Sequence, residues 1–320
     1  VQALDLAVAN LTSPPVLAFV VGVLAAAIRA DIRLPDAVYQ GISLYLLLGI
    51  GIKGGVGLRE AELTAIVPAV GATLLLGVSV PLVAVGLLRV LTPLGPIDRA
   101  AVAAHYGSTS LVTFTAGLVF LEASGLPVEG FAATLLAVLE VPGIVVALLL
   151  ARRYLSDTDG WGHALREVVT GRSIVLLVAG LLIGAGTGAA GYAAVEPFFG
   201  GIFVGVLTLF LLEMGVVAGR RLPDVVRVGP GLVAFAIGMP ILAASAGVVL
   251  GLAVGLSVGG AAILGVLAGS ASYIAAPAAV RLALPEANPG IYLGASLGVT
   301  FPFNLAVGIP LYTWIAQTLG

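Results

Sequence analysis

The chain has 320 residues and no cysteine, and only 9% of it is charged. The first absence removes disulfides, thiolate nucleophiles and cysteine-held metal sites. The second removes the ordinary water-soluble domain, in which about a quarter of the residues carry charge. Only two histidines occur, His105 and His163. With no Ser–His–Asp grouping, no metal-spaced histidine cluster and no intramembrane pair of aspartates, an enzyme is not expected, nor is a cofactor. Net charge is −2 with no basic tail, so nucleic acid is not an expected partner. The opening VQALDLAVANLTSPP shows neither a basic n-region nor a cleavage pattern. No signal peptide is visible, and the first span is expected to direct insertion.

What the chain has in excess is apolar surface, glycine and proline. It is 60% hydrophobic, with 44 glycines and 18 prolines, and its mean hydropathy is +1.18. Both residues are more frequent in membrane helices than in soluble ones, where close packing and helix breaks use them. Long apolar runs without period-2 alternation favour helices over a membrane barrel. A bilayer core takes about 20 apolar residues per helix. That ruler yields ten spans, near 14–30, 37–53, 64–88, 99–122, 130–151, 173–191, 196–218, 228–254, 259–284 and 290–317. The expected fold is an all-α polytopic membrane protein, with lipid as its surroundings.

Internal similarity divides the chain. Gly107-Ser108-Thr109-Ser110 aligns with Gly269-Ser270-Ala271-Ser272, each in the fourth span of its half, and LLLGIGIKGG (46–55) aligns with LLEMGVVAGR (211–220). Each following span holds a proline, Pro142 or Pro302. The expected units are a five-helix repeat at 1–151, a polar cytoplasmic linker at 152–172, and a second repeat at 173–320. Five is odd, so the second half enters from the opposite side, as in the inverted repeats of many secondary transporters. Charge agrees with this count. Loops at 29–36, 89–99, 152–172, 219–228 and 281–289 hold twelve of the fourteen Lys/Arg residues, leaving Lys53 and Arg59 on the other side. The positive-inside rule then places both termini outside the cytoplasm.

Glycine inside a helix costs about 1 kcal/mol, and small hydroxyl residues compete for helical backbone bonds. Each Gly-Ser motif therefore predicts a break, tolerated at membrane depth only where protein or a water-filled cavity satisfies the backbone. Two converging half-helix N-termini would make an anion site from dipoles and hydroxyls, with no Lys or Arg expected near mid-membrane. The same residues would also serve as small-residue helix-packing surfaces. Glu140, in LLAVLEVPGIV, is apolar on both sides and precedes Pro142. It suits a Na⁺ ligand, a proton carrier, or a carboxylic acid bonded to a neighbouring helix. Glu213 is a second candidate and Glu122 a boundary residue. Thr113, Thr300 and Asn304 could add neutral oxygens for Na⁺, and His105 reads as a packing histidine beside the first break. Tyr39, Tyr45, Phe301 and Trp314 read as belt or packing residues.

SPPVLAFVVG (13–22), RLPDAVYQ (33–40), LLLGIGIKGG, HYGSTS…LVFLEASGLPVEGF (105–131), VLEVPGIV (138–145) and PEANPGIYLGAS…TFPFNLAVGIPLY (285–312) carry a resemblance running nearly end to end. The chain resembles the sodium-dependent bicarbonate transporter family, and the PxANP element at Pro285–Pro289 is its most specific feature. The resemblance implies ten helices in a five-plus-five inverted repeat with two broken crossing helices, similar to bile-acid symporters and sodium–proton antiporters. It implies a homotrimer in the plasma (inner) membrane and a PII-like cytosolic regulator. It implies that Gly107, Ser108, Thr109 and Ser110, with Gly269, Ser270, Ala271 and Ser272, line a bicarbonate site. It also implies that Glu140 stands where cyanobacterial members have an aspartate. Those members carry Ser-Ser-Asp where this chain has Ala271-Ser272-Tyr273, and a longer central loop, so the chain resembles a non-cyanobacterial branch. The expected function is bicarbonate import coupled to Na⁺ by alternating access. Transport of another small anion such as a carboxylate, proton-coupled exchange through Glu140, and ligand sensing without transport remain as alternatives.

Overall fold

The structure is a computed structural model describing residues 2–30, 32–154 and 161–320, and every regular element among them is helical. The chain opens with α1 (Gln2–Leu11) and α2 (Pro14–Ala27), then the long α3 (Asp36–Glu60) and α4 (Leu63–Leu91). Two shorter pairs follow: α5 (Pro96–Gly107) with α6 (Leu111–Ala123), and α7 (Ala132–Leu139) with α8 (Pro142–Ala151). A 3-10 turn at Arg152–Tyr154 and the amphipathic α9 (Trp161–Val169) flank residues 155–160 of the expected linker, which lie outside the described residues. Next come α10 (Arg172–Phe199), α11 (Phe203–Val228), α12 (Pro230–Ala253), α13 (Val258–Ala268) and α14 (Ala275–Ala283). The chain closes with α15 (Pro289–Leu293), α16 (Phe301–Phe303) and α17 (Ile309–Leu319), joined by π-helical turns at Gly294–Thr300 and Asn304–Gly308.

Seven helical stretches are long and apolar enough to cross a membrane: Asp36–Glu60, Leu63–Leu91, Ala132–Ala151, Gly162–Phe199, Phe203–Arg221, Pro230–Ala253 and Pro289–Leu319. This is a multi-pass membrane protein. The three other expected spans fall short of that length for visible reasons. Helix α2 has only 14 residues. The other two are cut midway, α5 from α6 and α13 from α14.

Packing explains why several boundaries differ from the apolar ruler. The span expected at 37–53 continues to Glu60, because its glycines are contact points with α10 and not breaks. A Cβ on Gly55 would lie 2.2 Å from the Leu181 carbonyl oxygen, so only glycine permits this approach. Helix α10 bends sharply at Gly188 (φ 64°, ψ −166°), and its second part turns back beside α3, where Phe199 packs against Gly49. The Arg59 guanidinium donates to the Ala185 and Gly186 carbonyls beside that bend, at 3.2 Å each. A cation near a helix end thus meets carbonyls that the bend exposes.

Helix α2 lies along α11, and α3 lies along α10. The remaining helices form a second body in which α5 packs against α4 and α8, while α13 packs against α12 and α17. The two interrupted helices are at its centre. Every residue of α5 from Ala100 to Gly107, and of α13 from Gly259 to Ala268, is buried. Their sequences, AAVAAHYG and GGAAILGVLA, are mostly small. Lipid supplies no hydrophobic force between helices, and close van der Waals contact of this kind holds them instead.

The outer ends of the two interrupted helices are tied in matching ways. At the start of α5, Asp98 accepts the Asn288 backbone N–H at 2.9 Å. Where α13 begins, Glu129 accepts the Ser257 backbone N–H at 2.6 Å. Each crossing helix therefore starts against the connection that follows the other one.

Candidate functional site

Helix α5 stops after Gly107 because Ser108 (φ −107°, ψ 172°) and Ser110 (φ −109°, ψ 114°) are extended. Helix α6 resumes at Leu111, with the Ser110 hydroxyl accepting the Thr113 backbone N–H at 3.2 Å. That is an N-cap, which satisfies one of the donors a new helix leaves unpaired. The second break is related, though Ile274 precedes its helix and makes no side-chain cap. Helix α13 ends at Ala268, residues 269–274 are non-helical, and α14 resumes with the Ser272 hydroxyl accepting the Ala276 N–H at 3.2 Å.

The breaks are bonded to each other. The Ser272 N–H donates to the His105 carbonyl at 2.7 Å, and the Ser110 N–H to the Ser270 hydroxyl oxygen at 2.9 Å. The Thr109 and Ser270 hydroxyls are 2.9 Å apart, and Ser270 also donates to the Leu267 carbonyl at 2.9 Å. Backbone freed at one break is thus satisfied by the other, which is how irregular backbone persists at this depth. All five hydroxyl residues of the motifs are at most 4% exposed.

These hydroxyls divide by role. Ser108 donates to the Glu140 carbonyl at 3.0 Å, and Thr109 and Ser270 are occupied by each other. Ser110 and Ser272 each accept a backbone N–H of the helix that resumes, and the Ser110 hydroxyl also meets the buried Tyr273 hydroxyl. Ser272 is the one whose O–H meets no acceptor among the described residues. Gly107 and Gly269 serve the framework. A Cβ on Gly143 would lie 1.9 Å from the Gly107 carbonyl oxygen, so α5 and α8 meet backbone to backbone. Gly269 offers its carbonyl to the Asn304 side-chain amide at 2.9 Å. Ala271 is buried between Ser270 and Ser272.

Glu140 ends α7, just before Pro142 begins α8, and is 6% exposed. Its backbone carbonyl is bonded to Ser108, while its carboxylate makes no hydrogen bond or ion pair with the described residues. A buried carboxylate in that condition calls for a cation or a proton. Of the neutral oxygens expected around it, Thr113 follows directly from the Ser110 cap. Thr300 and Asn304 are committed elsewhere. Thr300 donates to the Ala236 carbonyl at 2.6 Å and pairs with the Tyr106 hydroxyl. Asn304 spans Gly269 and the Tyr312 hydroxyl, which donates to its Oδ1 at 2.7 Å. No group of three or more His, Cys, Asp or Glu residues is assembled among the described residues.

Other candidates separate from the crossing. Glu213 is 3% exposed and secures the connection after α2: it accepts the Leu34 N–H at 2.8 Å and faces Arg33 Nε at 3.5 Å. Glu122 is exposed. His105 is fully buried, with Nδ1 2.7 Å from the Ala101 carbonyl and its ring stacked 4.5 Å from that of Tyr292. Three tyrosines are close by, of which sequence reasoning singled out Tyr273 and passed over the other two. Tyr106 and Tyr312 hold Thr300 and Asn304, and Tyr273 buries its hydroxyl beside that of Ser110 while its ring meets Phe301 edge-on at 5.2 Å. Phe301 then meets Phe19 of α2 at 5.4 Å, a contact between the two helical bodies. A signal for Tyr106 existed in the sequence, as the one phenol in a run of alanines; none existed for Tyr312.

The family model described as the Na⁺-dependent bicarbonate transporter superfamily matches residues 14–317. No curated protein matches the chain.

Proposed function

The chain belongs to the Na⁺-dependent bicarbonate transporter superfamily, and on that premise we propose that it imports bicarbonate together with Na⁺ by alternating access. The anion is held where the two interrupted helices cross, by the hydroxyls of Ser110 and Ser272 and the N-terminal ends of α6 and α14. One observation carries this reading. Two aligned serines each accept a backbone N–H at the start of a resumed half-helix, and Glu140, whose carbonyl is bonded to Ser108, has a carboxylate without a protein partner among the described residues. Helix N-termini favour negative charge, and neutral hydroxyls bind an anion without retaining it as an ammonium would.

Glu140 takes the cation. Its link to the anion site is Ser108, bonded to the Glu140 carbonyl and two residues from Ser110. Coupling of this kind has an electrical reason. Against −100 mV, importing one anion costs about 2.3 kcal/mol, and one Na⁺ moving with it cancels that term. The Na⁺ gradient then supplies the drive.

The proposed architecture is ten spans in two inverted five-helix repeats, 1–151 and 173–320, joined by the cytoplasmic segment 152–172 with both termini outside. The helix pairings support it. An exchange of first with second half converts the α2–α11 pair into the α10–α3 pair and the α4–α5 contact into the α12–α13 contact. Homotrimeric assembly and a PII-like cytosolic regulator come from the resemblance and complete the proposal.

Labelled bicarbonate uptake into proteoliposomes, under an inward Na⁺ gradient against an equal K⁺ gradient, tests it. Na⁺-stimulated uptake that formate and acetate do not suppress is expected. Suppression by these acids moves the substrate to small carboxylates. Uptake that ignores Na⁺ but follows a proton gradient assigns Glu140 to H⁺.

A further inference from the structure

A cleft of about 980 Å³ separates the two helical bodies, with α3, α10 and the start of α11 on one wall and α6, α7 and the 125–130 connection on the other. None of the motif serines lines it. Its walls carry three carboxylates, Glu122, Glu129 and Glu196, and one cation, Lys53. The carboxylates sit on three different elements. Glu122 and Glu196 lie in the last turns of α6 and α10, and Glu129 is bonded to the Ser257 N–H where α13 begins. Lys53 precedes the end of α3 by seven residues, about 10 Å along the axis. At that level α3 touches α7, since a Cβ on Gly54 would lie 2.3 Å from that of Ala133. Lys53 is exposed to the cleft, and no carboxylate among the described residues lies within ion-pair distance of its ammonium.

An unpaired ammonium inside a spanning helix is costly unless it faces a water-filled cavity, and such residues mark ligand paths. A narrow cleft with low-dielectric walls also strengthens the field of each charge that lines it. We propose that Lys53 forms an anion-gathering site within this cleft, holding a small oxyanion such as bicarbonate ahead of the crossing. The carboxylates on the other elements gather the cation. The two ions then meet opposite charge on different elements of one cleft. This deepens the transport reading above and rests on it for the identity of the anion, but not for the charge of the site.

Because the chain has no cysteine, one introduced thiol is unique. Val204 also lines the cleft. In the Val204→Cys variant in detergent, reaction rates with an anionic sulfonatoethyl and a cationic trimethylammonioethyl methanethiosulfonate report the local potential. Adding Lys53→Gln is expected to lower the anionic-to-cationic rate ratio about fivefold at low salt. Lys53→Arg should preserve the ratio, and 1 M salt should abolish the difference. An unchanged ratio in the glutamine variant overturns the site, as does a thiol that neither reagent reaches. Separately, Lys53→Cys should raise the bicarbonate KM about tenfold, with recovery after the cationic reagent and none after the anionic one. The rate assay needs no transport. A correct rate pattern without bicarbonate uptake would remove the transport reading and leave the anion site, whereas uptake with an unaltered ratio would do the reverse.

Discussion

The two interrupted helices solve one problem with different materials. At the first break, the end of α5 meets α8 backbone to backbone at Gly107 and Gly143, and Ser108 reaches the carbonyl of Glu140. At the second, a side chain does that work, with the Asn304 amide on the Gly269 carbonyl and Tyr312 behind it. The first junction therefore brings a carboxylate to the crossing, and the second brings a neutral amide and the phenol of Tyr273. On the proposed reading, an arrangement symmetric for the anion is asymmetric for the cation. This difference leads us to expect one cation site, on the Glu140 side.

Perturbing each side separately sharpens that contrast. The largest effect is expected from Gly143→Ala, whose new methyl would fall 1.9 Å from the Gly107 carbonyl oxygen. Backbone cannot give way as a side chain does, so thermal unfolding in detergent should show loss of the folded protein. At Gly269 the nearest atoms would be 2.8 Å away, and Gly269→Ala should lower stability by only about 1–3 kcal/mol. Next is Glu140→Gln, which keeps the shape and removes the charge. Half-saturating Na⁺ should rise on the order of a hundredfold, and uptake at ordinary Na⁺ should lose its stimulation. Asn304→Ala leaves the Gly269 carbonyl and the Tyr312 hydroxyl unpaired, at a cost of about 1–3 kcal/mol in unfolding free energy; Na⁺ affinity should stay near that of the parent. Last come Ser110→Ala and Ser272→Ala. If both hydroxyls serve one anion, each should raise the bicarbonate KM by about tenfold. Unequal effects would mean that only one half binds.

Much of the crossing was readable from residue chemistry. Glycine followed by small hydroxyl residues inside an apolar run disfavours helix locally, so both breaks appear at 107–110 and 269–272, where the motifs repeat. Glu140 stood out because a carboxylate among apolar neighbours needs a reason. Other features depend on which helix lies opposite, which a single sequence does not carry. Gly54 and Gly55 read as the end of a span, whereas their contacts with α7 and α10 let α3 continue to Glu60 and set Lys53 inside a cleft. That cation, expected at a boundary, lies well within its helix. The five hydroxyls are alike in composition, and only their hydrogen bonds separate Ser110 and Ser272, which meet the resumed helices, from Ser108, Thr109 and Ser270. Thr300 and Asn304 were sensible cation ligands by type, but their bonds to Tyr106, Ala236, Gly269 and Tyr312 commit them to the framework.

The central claim is that one anion sits between two aligned serines while a separate carboxylate holds the cation. The direct test is initial-rate uptake by the Ser110→Ala/Ser272→Ala double variant in proteoliposomes, with bicarbonate and Na⁺ varied independently. The account predicts a bicarbonate KM raised about a hundredfold, with half-saturating Na⁺ unchanged when bicarbonate is saturating. A bicarbonate KM equal to that of the parent protein would contradict it and move the anion away from the crossing.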